Sequence, residues 1–244
     1  MTDETARYGV YFVPEAESSL HRFGSTIIGY DCYAGRDVDP PDGLNVDAAS
    51  WGSLTEQPRR YGFHATLKAP FRLAPECTEA QLVDALVEFA ALDFDPVGFE
   101  PDLRILGGFA AIVPREPSPA LECLASACTM EFDRFRAAMS AEERSHRLEM
   151  DLSPRQNANL ERWGYPYVFA DFRFHMTLTG KIPVQRRDEV LAVLRPLFAR
   201  MCNEPVIELG RLTLVKQEHE QARFVVLRQA ELRSRKERTA VEPC

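Results

Sequence analysis

Residues 61–68 (YGFHATLK) and 172–179 (FRFHMTLT) are two copies of one pattern, and any fold for this chain has to accommodate both. In each copy apolar residues alternate with polar or small ones, the period of a strand with one buried face. The alternation puts Phe63, Ala65 and Leu67 on one face and His64, Thr66 and Lys68 on the other. In the second copy Phe172, Phe174, Met176 and Leu178 share the core face, with Arg173, His175, Thr177 and Thr179 opposite. Successive strand side chains point to opposite faces, so each copy presents an imidazole and, two residues on, a hydroxyl in the same direction.

The segments downstream of the two strands repeat as well. After the first, Pro70 and Pro75 end the strand, and residues 78–92 form an amphipathic helix with Thr78 as its cap and Glu79 in its first turn. Strands at 97–106 and 109–113 come next, joined by the hairpin signal Gly107-Gly108. After the second copy the pattern predicts a helix at 185–200, a strand at 206–215 and a closing strand at 223–229. Strand, helix and hairpin occurring twice imply an α+β fold, a bilobed pseudo-twofold duplication. Each lobe is expected to be an antiparallel sheet with helices on its outer face, the two flanking a central cleft. Residues 1–230 then form a single domain, with lobes built around 61–113 and 172–229 and residues 7–13 as an additional strand. Residues 15–29 and 119–139 read as helices, and 163–167 (WGYPY) as an aromatic turn. Residues 31–60, with the turn signal DPPDG, read as a long surface excursion. The charged segment 140–159 has no assignable form, and the charged tail 231–244 is expected to be mobile.

Composition narrows the partners. A chain of 244 residues, 45% hydrophobic and 27% charged, is ordinary globular material. Its net charge of −8 argues against a long nucleic acid held on a broad basic surface, yet leaves room for a small anionic ligand in a local cationic pocket. Cys32, Cys77, Cys123, Cys128, Cys202 and Cys244 show neither regular pairing nor zinc-ligand spacing, as expected of free thiols in a reducing compartment. The polar, acidic N-terminus has no apolar signal core and no segment reads as membrane-spanning, so a cytoplasmic protein without membrane partners is expected. The oligomeric state is left open.

The repeated strands carry the chemistry. A pseudo-twofold brings His64 and His175 to opposite walls of one cleft, with Thr66 and Thr177 beside them. One neutral imidazole can act as base and one protonated imidazole as acid, each contributing roughly 100- to 10,000-fold in rate. The hydroxyls suit the non-bridging oxygens of a phosphoryl group, where charge must be held during in-line displacement. Lys68 shares the face of His64 and either adds a cation or is a solvated strand end. Lys181 lies just beyond the second strand. Arg59, Arg60 and Arg173 flank the motifs, and Tyr165 and Tyr167 either stack on a base or sugar or pack the turn. His21 sits on a helix without evident partners, and His146 and His219 lie in charged or polar runs; these three are read as outside the chemistry. No metal-ligand cluster is visible, so no metal or other cofactor is expected.

With these residues in view, His64-Ala65-Thr66 and His175-Met176-Thr177 resemble the paired H-x-T/S motifs of the two-histidine (2H) phosphoesterase superfamily. More narrowly, RRYGFHATLKAPFRL, WGYPYV and FRFHMTLTGK look like a bacterial branch encoded near carbon–phosphorus lyase genes and described as a phosphonate metabolism protein. The resemblance covers roughly residues 7–229. It implies metal-independent opening of a small cyclic phosphate, on a nucleoside or ribose, with His64 and His175 catalytic and Thr66 and Thr177 holding the phosphate. Lys68, Lys181, Arg173 and Tyr167 are the further candidates for contact with a small phosphorylated substrate. Two alternatives stay open: a 2′-phosphoesterase or ligase acting on RNA ends, and a module that binds a nucleotide or phosphosugar without turnover. Residues 31–60 and 139–159 exceed the minimal superfamily pattern and are placed to shape or cover the cleft.

Overall fold

The computed structural model describes residues 6–92, 94–140 and 151–233. Residues 141–150 of the charged segment, His146 among them, and residues 234–244 of the tail lie outside these. The elements are β1 (Arg7–Phe12), α1 (Ser19–Ile28), β2 (Tyr30–Asp31), β3 (Arg36–Asp37), α2 (Ala48–Arg59), β4 (Ala65–Phe71) and α3 (Glu79–Ala90). Next in the chain are β5 (Val97–Phe99), β6 (Pro101–Leu106), β7 (Phe109–Pro114), α4 (Pro119–Phe132) and α5 (Pro154–Trp163). Last come β8 (Met176–Thr177), α6 (Arg187–Met201), β9 (Ile207–Leu209), β10 (Arg211–Gln217) and β11 (Val225–Glu231). Local signals set several ends. Thr78 and Gln81 form the capping box of α3, Ser118 caps α4 ahead of a first-turn proline, and Ser153 and Gln156 cap α5.

Seven strands form one antiparallel sheet in the order β11-β10-β1-β4-β8-β7-β6. The α+β class expected from sequence is the class observed. The two expected lobes, however, are merged into a single sheet, because β4 and β8 pair directly. The order strand, helix, short strand, hairpin occurs after β4 and again after β8, and the two sets interlock. The β6–β7 hairpin of the first set extends the sheet beyond β8, while β10 and β11 of the second lie on the β4 side, through β1. Helix α3 packs on β10 and β11, and α6 packs on β6, so each helix covers the other set's hairpin. The short strands β5 and β9 pair with each other away from the main sheet. One continuous core runs through both halves, from Val10 and Leu86 to Ile112, Leu194 and Leu214.

Four expectations need correction. Residues 31–60 are not an irregular excursion: they hold the β2–β3 hairpin and α2. Helix α2 buries only Trp51, Thr55 and Pro58, too few apolar positions for a 3.6-residue period to stand out. It is bound to α1 by polar contacts instead, Trp51 Nε1 donating to the Ile27 carbonyl (2.9 Å) and Arg59 Nε to that of Ile28 (2.9 Å). Second, β4 does not stop at Pro70 but runs on to Phe71. Third, β8 keeps only two residues of ladder. The extended segment before it still alternates, with Phe174 and Met176 buried and Arg173 exposed, but Thr179 turns inward and accepts from the Ala110 N–H (2.9 Å). Fourth, the tail is tied down at its start: Leu232 is buried and its N–H donates to the Gly210 carbonyl (2.8 Å).

Candidate active site

The register of β4 against β8 builds the site. Ala65 faces Met176 across the pair. The same antiparallel register sets His64 against Thr177 and Thr66 against His175, on the face opposite the buried Ala65 and Met176. Directly opposed side chains start about 4.5–5.5 Å apart at Cβ. Each histidine is therefore placed across the pair from the threonine of the other motif.

The turn before β4 aims His64. Gly62 adopts φ 77°, and a Cβ there would lie 2.6 Å from Cys32 Cβ, so only glycine fits the turn. Phe63 plunges into the core against Gly24 of α1, where a Cβ would sit 2.0 Å from its ring. His64 is thereby fixed from both sides. Its Nδ1 donates to the Gly62 carbonyl (2.8 Å), its Nε2 lies 3.1 Å from Thr66 Oγ1, and its ring stacks on Tyr11 at 3.8 Å and 18°. His175 repeats the arrangement: its Nδ1 donates to the Arg173 carbonyl (2.7 Å), and Phe109 lies 5.5 Å away, ring to ring. A carbonyl only accepts, so the proton sits on Nδ1 in both rings. Each neutral imidazole then offers its Nε2 lone pair, and for His64 Thr66 Oγ1 donates to it.

Burial sets the charge state. It pushes the His64 imidazole down to about 4, against the help of the Gly62 carbonyl, and a charge on His175 lowers it further. Burial lowers His175 as well, opposed by the Arg173 carbonyl. Both rings are held neutral at pH 7, and the pair resists carrying two protons.

Two cavities meet here. The larger, about 490 Å³, is lined by Thr66 and His175 at one end and by Phe109, Phe172, Tyr165, Tyr167, Arg155 and Arg173 around its walls. The smaller, about 210 Å³, is lined by Tyr11, Tyr61, His64, Thr66, Tyr165 and Thr177. Thr66, Ala69 and Tyr165 border both. The outer wall is firmly held. Arg155 clasps Asp171 through two bonds (2.6 and 3.0 Å), Gln156 and Asn159 also donate to that carboxylate, and Phe169 takes a left-handed φ of 53°.

Of the residues expected from sequence, His64, Thr66, His175 and Thr177 converge on this cleft, and Arg173 and Tyr167 line its larger cavity. Lys68 does not. A β-bulge in β4 intervenes, since Tyr11 pairs with Thr66 but the next residue of β1, Val10, pairs with Lys68. The extra residue turns Lys68 to the other face, where it is 3% exposed under α4, donating to Asp133 (2.8 Å) and to the Thr129 carbonyl (3.2 Å). Lys181 is exposed and borders neither cavity. Arg59 is committed to α1, and Arg60 donates to the Glu220 carbonyl (2.7 Å). His21, expected without partners, is buried with Ser25 Oγ at 3.0 Å and the Tyr33 ring edge-on at 4.9 Å. Tyr11, Tyr61, Phe109, Arg155 and Asp171 were not legible as site residues. Tyr11 sits in a strand whose residues from Tyr8 to Phe12, apart from Gly9, are all buried apolar or aromatic, so alternation could not single it out. Among the described residues no group of three or more His, Cys, Asp and Glu side chains is placed to hold a metal ion. No described helix is long and apolar enough to cross a membrane.

A family described as "Protein of unknown function (DUF1045)" matches residues 66–225, well over half of the chain, taking in the whole second motif and Thr66 of the first. The chain belongs to the DUF1045 family. Two curated relatives carry the name ribose 1,5-bisphosphate phosphokinase PhnN. That of Janthinobacterium sp. (strain Marseille) is 33% identical over 92% of this chain and 50% of its own length. That of Laribacter hongkongensis is 35% identical over 72% of this chain and 40% of its own. The DUF1045 chain thus spans about half the length, or less, of the curated relatives it matches. Solved structures that align with it include E. coli LigT complexed with NADP+, 12% identical with a TM-score of 0.43 over 94% of this chain and 98% of that one. Kluyveromyces marxianus Usb1 aligns at 10% identity and a TM-score of 0.38, over 93% and 99%.

Proposed function

We propose that this DUF1045 chain is a phosphodiesterase that opens a small cyclic phosphate by acid–base catalysis at His64 and His175. The observation that carries the reading is the crossed register of the two motifs, each imidazole opposed to the other's threonine with its Nδ1 tied to a backbone carbonyl. A phosphoryl group between the strands meets an Nε2 on each side, in line for attack and departure, while Thr66 and Thr177 donate to its non-bridging oxygens. One imidazole takes a proton from water as the water oxygen bonds to phosphorus. The other gives a proton to the sugar oxygen as its ester bond breaks. The site holds both rings neutral when empty, so the second proton enters with the anionic substrate, whose charge offsets the burial that depressed both groups.

A ribose or nucleoside cyclic phosphate is the proposed substrate class, and the sugar phosphate in the relatives' name supports the ribose choice. The aromatic walls of the larger cavity favour, as a second reading, a substrate that carries a base, including an RNA end. The imidazoles perform the proton transfers, so the reaction is proposed to run without a metal. The test is to incubate the protein with a panel of cyclic phosphates in excess chelator and follow the phosphorus resonances. Ring opening under chelation is expected. Tight binding without turnover would instead make the chain a binding module, and loss of turnover on chelation would overturn the metal-free mechanism.

A further inference from the structure

Resting on the phosphodiesterase reading, we infer that the substrate bears a second phosphate, held by Arg173 where the active cleft opens into a neighbouring cavity. That neighbour has a volume of about 370 Å³ and shares Leu106, Phe172 and Arg173 with the larger cavity of the cleft. Its charged lining consists of Arg104, Arg115 and Arg173 together with Glu116 and Glu122. Arg104 and Arg115 are already engaged, with Asp102 (2.7 Å) and Glu100 (3.3 Å), carboxylates that do not line the cavity. Arg173 differs. It is exposed, it borders both cavities, and among the described residues no carboxylate forms an ion pair with it.

The spacing is what makes this a subsite. Arg173 stands two residues before His175 in extended backbone, roughly 6.5 Å along the strand. A phosphoryl group at His175 and Thr66 and a second phosphate at Arg173 would sit at opposite ends of one sugar ring. A guanidinium matches the oxygens of a phosphate in a planar, bidentate fashion, and Arg173, outside any ion pair among the described residues, gives up none of these to do so. Opening the ring adds water across one phosphorus–oxygen ester bond, with the hydroxyl going to phosphorus and the proton to the sugar oxygen. The product is a sugar carrying two phosphate monoesters, the class of compound that a sugar-bisphosphate kinase consumes.

The test compares ribose 1,2-cyclic phosphate with the same compound phosphorylated at the 5-position. Wild-type protein is expected to favour the doubly phosphorylated compound in kcat/KM by about tenfold or more. Arg173→Gln should bring that ratio toward one, and Arg173→Lys should keep part of it. A wild-type ratio near one, or an equal loss on both compounds in Arg173→Gln, would overturn the inference. Calorimetric titration with ribose 5-phosphate separates it from the reading beneath it. Binding that Arg173→Gln weakens supports the subsite even if neither compound is turned over, an outcome that would defeat the phosphodiesterase reading alone. Absent binding in wild-type protein, or affinity that ignores Arg173→Gln, overturns the subsite whatever the turnover.

Discussion

Ala65 and Met176 are partners across the β4–β8 pair, and neither touches the cleft; both are fully buried. Their pairing nevertheless decides the site, because it sets His64 opposite Thr177 and Thr66 opposite His175. A slip of one residue in either strand would send one motif's imidazole and hydroxyl into the core. The site is therefore a property of a register, and its mutational behaviour should separate groups that react from groups that keep the register.

His64→Ala and His175→Ala should each lower kcat by at least about 100-fold, the usual contribution of one positioned acid or base. His175→Ala should leave Tm nearly unchanged. His64→Ala should cost a few degrees more, since that ring also stacks on Tyr11 and bonds Thr66. Steady-state kinetics with thermal unfolding checks both, and a variant with near-normal turnover would remove that histidine from the mechanism.

The acid side of the stability profile should carry the signature of His64. Its folded-state value of about 4 lies below the ordinary 6.5, so the unfolded chain binds more protons between those limits. The stabilisation is complete above about pH 6.5 and is lost as pH falls toward 4. His175, also depressed, adds in the same sense. Denaturant titrations across this window should show a shallower slope in His64→Asn, and a phosphate-containing ligand should move the His64 ring resonances to titrate at higher pH.

Tyr11 offers a finer test of how the imidazole is held. Its hydroxyl is buried without a hydrogen-bond partner among the described residues, and its ring lies flat beneath His64. Tyr11→Phe keeps the stack and removes the unsatisfied group, so Tm should hold or rise, by up to a few degrees, with activity retained. Tyr11→Leu removes the aromatic face that favours a protonated ring by about 0.5–2 kcal/mol. It should lower kcat and displace a limb of the pH–rate profile, which a merely structural loss would leave in place.

Lys68 should behave as a structural residue. Lys68→Ala leaves the buried carboxylate of Asp133 with Arg136 (2.7 Å) and Arg162 (3.3 Å) but without its third partner. A destabilisation of roughly 1–3 kcal/mol is expected, with KM for the cyclic phosphate unchanged. A raised KM at constant stability would return Lys68 to the site.

The candidate site of this protein was legible because its motif is written twice. Two imidazole–hydroxyl pairs on alternating strands, each followed by a helix and a hairpin, single out the candidate groups from local periodicity alone, since a pleat fixes which neighbours share a face. Caps and glycine turns are equally local, and Thr78, Glu79 and Gly107-Gly108 marked their elements in advance. What the chain order could not convey is how strands distant in sequence pair. That β4 and β8 are neighbours, that β1 lies between β4 and β10, and that a bulge after Thr66 carries Lys68 under α4 are matters of register between segments. Helix α2 was illegible for a related reason, as it is held by polar bonds to α1 rather than by an apolar stripe. The sequence by itself determined which imidazole–hydroxyl pairs are the candidates for the proposed chemistry and the α+β elements that bear them. Only the tertiary structure decided which of those groups share a cleft, because a strand's alternation says which side chains face together but not what they face.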